Sequence, residues 1–311
     1  MSSPGPVNSI RRTAEGNIWL SASGSDPRAD LANRQISQLR PEVVSTEELV
    51  GQAMLEELEA AARAKQGDLT IALLGGRGAQ ALHRLLGARV RAGDPEGLIR
   101  RLNVFTQDAL APMHPQNSFS FVRDFERLLG VEFFQLVKSF TTVRTDAPDL
   151  EAELTGYAQR LEAMGGLDIF FLGLGPEPGG ASHLAYIKPN SGASAADVAG
   201  VIPISASILE HHITKFKAGG SAVSAEDEAE CRRATHIFTL GPAAILKARR
   251  IVQSVVDADT APAKRESYRR VMETQVSADL TTRAQQLDQN PGLWIRLHPR
   301  VRSLILQNVL G

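Results

Sequence analysis

The chain has 311 residues, of which 43% are hydrophobic and 22% charged, and its formal net charge is −1. That balance argues against a dedicated nucleic-acid-binding protein, which usually carries a basic excess, and no apolar run approaches the roughly 20 residues of a membrane span. The single cysteine, Cys231, excludes an intramolecular disulfide framework and a multi-cysteine zinc site. We therefore expect a protein of the reducing cytoplasm that acts without a membrane or a nucleic acid.

Residues 1–40 are polar and rich in turn formers, which predicts a partly irregular N-terminal extension with a short helix over 28–39. Next, the hydroxyls of Ser45 and Thr46 are suited to capping a helix, and apolar residues recur at helical spacing from there to Ala64. The run LTIALL at 69–74 is typical of a strand that is buried on both faces.

Strands and helices alternate along most of the remaining chain. We predict further strands over 102–105, 167–172, 234–240 and 301–306, and helices over 79–90, 117–130, 150–164 and 243–254. The small, polar stretches 190–200 and 215–224 are interpreted as surface loops. This alternation predicts an α/β fold with a doubly wound, mostly parallel, Rossmann-like sheet and helices on both faces. We expect residues 41–311 to form a single domain behind the 1–40 extension.

The first two strand ends carry candidate site residues, because ligands of open α/β sheets lie beyond the carboxyl ends of the strands. Gly75, Gly76, Arg77 and Gly78 form a loop whose amides and guanidinium are suited to bind a phosphate. The loop is neither GxGxxG nor a Walker loop, and a tight turn that merely connects two elements is the alternative. Asp108, after the second strand, is either a general base or a cap or turn residue.

The other two candidates lie beside the later strands. His183 closes a glycine-rich loop and is a candidate acid/base group that Glu177 would orient, the alternative being a surface histidine. Arg232 and Arg233 either complete an anion site or lie on a solvated surface. The sequence does not support a nucleophile-elbow enzyme, since the GxSxG motif is absent.

A metal site is not expected either. His211 and His212 are adjacent, so on a helix they point about 100° apart and cannot easily share one ion.

In their order and context these segments resemble the glucosamine-6-phosphate isomerase (deaminase) and 6-phosphogluconolactonase family, from about residue 45 to about residue 306. LLGGRGAQALHRLL stands in the place of the family's phosphate loop, and FTQDALAPMHPQNSF resembles the isomerase pattern FxxDEY…HPxSY. LGLGPEPGGASHLAYIKPN resembles GxGxDGHxA, FTLGPAAILKAR resembles TxGxxTIxxA, and RLHP matches a terminal LHP of the isomerases.

The resemblance implies roles residue by residue. Asp108 matches the aspartate that, in the isomerases, moves a proton between adjacent carbons of the sugar. His183 matches the histidine that assists ring opening in isomerases and is the proposed water-activating base in lactonases. Gly75 to Gly78 match the phosphate loop by position, although its hydroxyl residues are missing.

The sequence departs from the family pattern at several acids. Ala109 replaces the second acid of DEY, and Ala181 replaces the aspartate of DGH, so that Glu177 would have to orient the histidine instead. Lys188 stands where the HxAFNEP pattern of the isomerases has its glutamate, which would favour an anionic substrate or abolish the deaminase chemistry.

We therefore expect a sugar-phosphate enzyme that resembles the isomerase/deaminase branch, with proton transfer by Asp108 and ring opening assisted by His183. One alternative is a 6-phosphogluconolactonase-type hydrolase that uses His183, and another is a non-catalytic sugar-phosphate sensor, since the family acids are missing. No metal or organic cofactor is expected. The implied partner is a small phosphorylated sugar, and the resemblance allows a homo-oligomer.

Overall fold

The computed structural model describes residues 9–310, so that residues 1–8 of the predicted extension and residue 311 lie outside the described residues. The strands are β1 (Ser9–Arg12), β2 (Ile18–Ser21), β3 (Pro41–Val44), β4 (Leu69–Leu73), β5 (Leu102–Thr106), β6 (Asp108–Ala111), β7 (Ser139–Thr141), β8 (Ile169–Leu172), β9 (Gly175–Pro176), β10 (Ser182–His183), β11 (Asp197–Pro203), β12 (His236–Leu240), β13 (Arg250–Val255) and β14 (Val301–Leu306).

The helices are α1 (Pro27–Ala32), α2 (Glu47–Ala64), α3 (Gln80–Arg91), α4 (Phe121–Leu129), α5 (Val131–Leu136), α6 (Leu150–Ala163), α7 (Ala206–Ala218), α8 (Ala225–Cys231), α9 (Pro242–Lys247), α10 (Ala263–Glu273) and α11 (Leu280–Gln289). Short 3-10 helices, among them Arg77–Ala79 before α3 and Pro291–Leu297 before β14, connect some of these elements.

The main sheet has seven strands in the order β3-β14-β13-β8-β4-β5-β7. Every pairing in it is parallel. All five residues of β4 are buried, and because side chains alternate between the two faces of a strand, both faces are covered. The predicted α/β fold with a mostly parallel, Rossmann-like sheet is confirmed.

A second, five-stranded sheet was not predicted. Its order is β1-β2-β11-β12-β6, and its pairings are antiparallel. It takes its first two strands from the N-terminal extension, and in it Trp19 of β2 lies opposite Gly200 of β11. The described part of the extension is therefore not wholly irregular. The sheet also brings β6, which begins at Asp108, beside the end of β5.

Several elements follow the sequence closely. The Thr46 hydroxyl accepts a hydrogen bond from the Leu49 amide at 3.2 Å and caps α2, which ends at Ala64 as predicted. The strand predicted over 301–306 is β14. Asp149 likewise caps α6 by accepting from two backbone amides.

Other predicted elements are wrong in type or place. The helix predicted over 243–254 is two elements, α9 and the buried strand β13. The strand at 234–240 exists as β12, but it belongs to the antiparallel sheet. The helix predicted over 28–39 is only the six-residue α1, and β11 begins inside the loop predicted at 190–200. Within residues 9–310, no helix is both long and apolar enough to cross a membrane.

Candidate functional site

The candidate site is a cleft at the carboxyl ends of four neighbouring parallel strands, β13, β8, β4 and β5. Each strand contributes lining residues at or just beyond its end, and the helices α7 and α10 contribute further side chains to the lining. This is the position at which open α/β sheets bind their ligands. The residues that line it include Gly75, Asp108, Gly175, His183, Lys215 and Asp257.

His183 and Glu177 form a buried pair at the cleft. The strands β9 and β10 pair antiparallel, with His183 opposite Gly175, and fold the loop back so that His183 Nδ1 lies 2.7 Å from Glu177 Oε1. The Ser207 hydroxyl donates to the other carboxylate oxygen of Glu177 at 2.6 Å. Burial lowers the pKa of His183, although Glu177 opposes this shift. A neutral His183 that donates from Nδ1 to Glu177 has Nε2 available as a base.

Gly175 is required for this geometry. A Cβ at that position would lie 1.8 Å from His183 Nε2, so only glycine lets the imidazole pack against the loop backbone.

Asp108 is buried at the start of β6, and its Oδ1 has no hydrogen-bond partner among residues 9–310. Burial raises the pKa of Asp108 to about 7, while Lys215 and Gln107 act in the opposite direction. A carboxyl group of this kind exchanges protons readily near neutral pH. The structure therefore brings Asp108 and the His183–Glu177 pair to the same cleft.

Lys215 projects into the cleft from α7. Its Nζ donates to the Tyr186 hydroxyl at 2.9 Å and lies 4.8 Å from the ring centre of Phe121 and 5.0 Å from that of Tyr186. Although the residue keeps some exposed surface, burial of its ammonium lowers the pKa to about 8, with Asp108 opposing the shift. Ser207, His211 and Lys215 are spaced by four residues, so they share one face of α7.

A second cation comes from α10. Lys264 is buried, lines the cleft and forms an ion pair with Asp257, and its Nζ also donates to the Val256 carbonyl at 3.3 Å. Sequence reasoning missed Lys215, Lys264 and Tyr186. The spacing of four between Ser207, His211 and Lys215 is a signal that could have found Lys215.

The predicted phosphate loop lies at the cleft only in part. Gly75 and Gly78 line it, and the Ser254 hydroxyl donates to the Gly78 carbonyl at 2.7 Å. Gly76 has a positive φ of 76° and packs so closely that a Cβ would meet Lys215 Cδ at 2.7 Å. Arg77 points elsewhere: it pairs with Glu47 at 2.8 Å and with Asp259 at 3.1 Å.

The remaining predicted cations also lie elsewhere. Arg232 is exposed and paired with Glu210 and Glu228, and Arg233 is exposed beside it. Lys188 is partly exposed, burial lowers its pKa, and Glu177 opposes that shift. Of the described residues that line the cleft, the cations are Lys215 and Lys264, and arginines are absent. The structure thus places Arg77, Arg232 and Arg233 outside the lining of the cleft, and carboxylates pair with Arg77 and Arg232.

Over the described part of the chain, we find no group of three or more His, Cys, Asp or Glu side chains arranged to hold a metal ion.

Comparison with known proteins gives partial sequence matches. No family model matches the chain. A glucosamine-6-phosphate deaminase from Porphyromonas gingivalis is 35% identical over 101 residues, which are 31% of this chain and 36% of that protein. A glucosamine-6-phosphate deaminase from Bacteroides thetaiotaomicron is 28% identical over 105 residues, 31% of this chain and 35% of that protein. The match thus spans about a third of the length of these curated relatives.

Solved structures match over most of the chain. A monomeric glucosamine-6-phosphate deaminase, described as a missing link of the NagB superfamily, superposes with a TM-score of 0.64 at 20% identity, covering 87% of this chain and 98% of that one. The 6-phosphogluconolactonase from Trypanosoma cruzi superposes with a TM-score of 0.61 at 14% identity, covering 89% and 97%. These likenesses show the shared fold. The sequence is thus similar to glucosamine-6-phosphate deaminases over about a third of the chain, and the fold is similar to that of a deaminase and a 6-phosphogluconolactonase.

Proposed function

We propose that the protein is a sugar-phosphate isomerase or deaminase that moves a proton between adjacent carbons of a phosphorylated amino sugar. The observation that carries this proposal is the presence of two separate acid/base groups in one cleft, Asp108 and the His183–Glu177 pair. An isomerisation that begins with ring opening needs both: one group for the ring oxygen and one for the carbon-bound proton.

Asp108 is assigned the carbon-bound proton. As a carboxylate it removes a proton from the carbon next to the carbonyl, and as a carboxylic acid it returns that proton to the neighbouring carbon. A pKa of about 7 makes both forms accessible at neutral pH. Its buried Oδ1 makes no hydrogen bond within residues 9–310, so this oxygen is not committed to another protein group.

His183 is assigned the ring-opening step, with Glu177 as its positioning residue. Glu177 holds the imidazole by its Nδ1 and is itself held by Ser207. This arrangement fixes the tautomer and stabilises the imidazolium that forms when Nε2 takes a proton. Glu177 therefore supplies the orienting acid that Ala181 cannot.

The substrate phosphate is assigned to the cations and the glycine loop. Lys215 supplies positive charge in the cleft, and Lys264, which is paired with Asp257, adds a second ammonium. An ion pair between a buried ammonium and a ligand is stronger than one at the surface. Gly75 and Gly78 allow close approach to the loop backbone just before α3. Arg77, Arg232 and Arg233 have no part in this assignment.

The second candidate function is a lactonase-type hydrolase. It is favoured by the His183–Glu177 pair, which suffices to activate a water molecule without Asp108. Because the two functions differ in their need for Asp108, substitution at that residue separates them.

The test measures turnover of glucosamine-6-phosphate and of 6-phosphogluconolactone by the pure protein. In parallel, NMR in deuterium oxide follows exchange of the carbon-bound proton of the amino sugar, which detects proton transfer even without ammonia release. We expect Asp108→Asn to reduce both proton exchange and turnover at least about 100-fold. His183→Gln should slow ring opening, so that turnover falls while exchange into an open-chain analogue persists.

Asp168→Asn is the matched control, because Asp168 is also a buried acid but pairs with Lys65 just before β8, at the opposite end of the sheet. It should leave exchange unchanged. Lactone hydrolysis that survives Asp108→Asn but not His183→Gln would favour the hydrolase. Binding of both sugar phosphates without exchange or hydrolysis would overturn both functions and leave the sensor hypothesis.

A further inference from the structure

A continuous hydrogen-bonded chain runs behind the cleft and ends at Lys215. His212 Nε2 lies 2.7 Å from the Phe119 carbonyl, and His212 Nδ1 lies 2.9 Å from the Tyr186 hydroxyl. That hydroxyl in turn accepts from Lys215 Nζ at 2.9 Å. His212 and Tyr186 are both buried. We call His212 and Tyr186 the strut.

The direction of each bond in the strut is fixed by its end groups. A carbonyl can only accept, so His212 Nε2 must carry the hydrogen that reaches the Phe119 carbonyl. Burial lowers the pKa of His212 to about 3, so the ring is neutral and Nδ1 has a free lone pair. The Tyr186 hydroxyl must therefore donate to Nδ1, which turns its own lone pairs toward Lys215.

Aromatic rings enclose the same lysine. Its ammonium faces the rings of Phe121 and Tyr186, while its aliphatic carbons lie against Gly76. Phe121 contacts His212 and Phe216 edge-on or tilted, with ring centres 5.1 and 5.4 Å apart. A long lysine side chain normally has many rotamers, and fixing it in advance reduces the entropy lost when it binds a ligand.

The hydroxyl of Tyr186 is a departure from the family pattern. In HxAFNEP, aligned on His183 and Lys188, position 186 is phenylalanine. The resemblance therefore accounts for an aromatic ring at this position, and it does not account for the hydroxyl or for the hydrogen bond to Lys215.

We propose that Tyr186 and His212 are positioning residues, and that their hydrogen-bonded strut holds the Lys215 ammonium in place for the anionic group of a ligand in the cleft. This inference rests on the proposed function in one respect, the anionic ligand. The strut itself is a property of the free protein. It predicts that loss of the Tyr186 hydroxyl, with the ring retained, loosens Lys215 on α7.

The test compares Tyr186→Phe with Tyr268→Phe, which also removes a buried tyrosine hydroxyl but one that lies near Ser303. In protein labelled with ¹³C-lysine, Lys215→Met identifies the Lys215 signal. We expect its ε-methylene protons to be inequivalent and ring-shifted in the wild type. They should move toward a single averaged shift in Tyr186→Phe and stay as in the wild type in Tyr268→Phe.

The functional readout is the dissociation constant for inorganic phosphate, measured by titration calorimetry, and the KM and kcat of any sugar phosphate that is turned over. Tyr186→Phe should weaken phosphate binding about 5- to 20-fold and raise KM more than it lowers kcat. His212→Gln, which keeps one donor and one acceptor, should lie closer to the wild type than His212→Leu.

A Tyr186→Phe variant with the wild-type Lys215 signal and phosphate affinity would overturn the inference. Wild-type protein that binds no phosphate at millimolar concentration would instead contradict the proposed function. In that case the NMR comparison still decides whether Tyr186 holds Lys215.

Discussion

At the residue scale, burial shifts the pKa values of charged groups in the cleft, and nearby opposite charges offset these shifts only in part. Asp108 and Lys215 carry opposite charges and each favours the ionised form of the other, yet the loss of hydration has the larger effect on both. Their pKa values therefore move toward each other, to about 7 and about 8. The two groups are consequently poised within the range in which the proposed chemistry operates.

The closeness of these two pKa values predicts a narrow pH optimum for activity. As a base, Asp108 is active when ionised, so kcat/KM should rise with pH up to about 7 and then level off. Lys215 binds an anion when protonated, so kcat/KM should fall as pH rises past about 8. The measurement is kcat/KM from pH 5 to 10 with a substrate that the wild-type protein turns over.

Lys215→Arg provides the diagnostic comparison, because a guanidinium stays protonated throughout this range. The variant should lose the decrease above pH 8 while it keeps the rise toward pH 7. An unchanged alkaline decrease in Lys215→Arg would show that a group other than Lys215 causes it.

The sequence predicts which candidate acid/base residues lie at the cleft better than it predicts which cations do. Asp108, His183 and Glu177 follow predicted strands, and the topology of parallel sheets carries strand ends to one edge. The small and polar residues of KAGGSAVS at 217–224 predict a loop that includes Lys215, whereas the helix continues to Ala218. Whether an arginine lies at the cleft depends on the carboxylate with which it pairs. Asp259, a partner of Arg77, is far from it in sequence, so a local pattern does not reveal the pair.

At the element scale, small residues determine how closely helices pack beside the sheet. Gly51 of α2 lies against α3, where a Cβ would meet Ala81 Cβ at 2.5 Å. Gly87 of α3 lies against the end of α4, where a Cβ would meet the carbonyl oxygens of Leu129 and Leu128 at 2.7 and 2.9 Å. These contacts involve backbone or backbone-proximal atoms, which cannot simply rotate away.

Two helical glycines offer a matched prediction. Gly87→Ala should destabilise the fold by about 1–3 kcal/mol, because α3 and α4 must separate. Gly156→Ala in α6 should stabilise it by about 0.5–1 kcal/mol, since its nearest neighbour is the flexible end of Arg160 at 3.5 Å. Urea unfolding of both variants measures these differences, and destabilisation of equal size in both would show that packing at Gly87 is not the cause.

Elements are predicted wrongly where one local pattern of apolar residues fits both a helix and a strand. In PAAILKARRIVQSVV the apolar residues recur at spacings that suit one long helix. The β-branched run around Ile251 and Val252 instead pairs on both sides, with β8 and β14, and forms a central strand. Burial between neighbours that are distant in sequence decides this case, and it cannot be read from a short window.

At the scale of the whole molecule, the N-terminal hairpin of β1 and β2 is built into the antiparallel sheet. β1 and β2 extend the antiparallel sheet, and Trp19 is fully buried against Gly200, with its indole nitrogen donating to the Ser191 carbonyl at 2.9 Å. Arg11 reaches the buried Asp197 at 2.5 Å. These contacts argue that the described part of the extension and the α/β domain unfold as one cooperative unit.

Trp19→Ala tests that cooperativity directly. The substitution removes a fully buried indole and should cost about 3–5 kcal/mol. It also leaves Trp294 as the single tryptophan, and Trp294 is buried in the Pro291–Leu297 segment, outside the hairpin. If the molecule is one unit, the Trp294 fluorescence transition in urea should move to lower concentration and coincide with the circular dichroism transition.

Ile10→Ala, at a half-exposed position of β1, is the control and should move the Trp294 transition little. If the Trp294 transition stayed in place while dichroism showed an earlier loss of structure, the hairpin would unfold independently of the α/β domain.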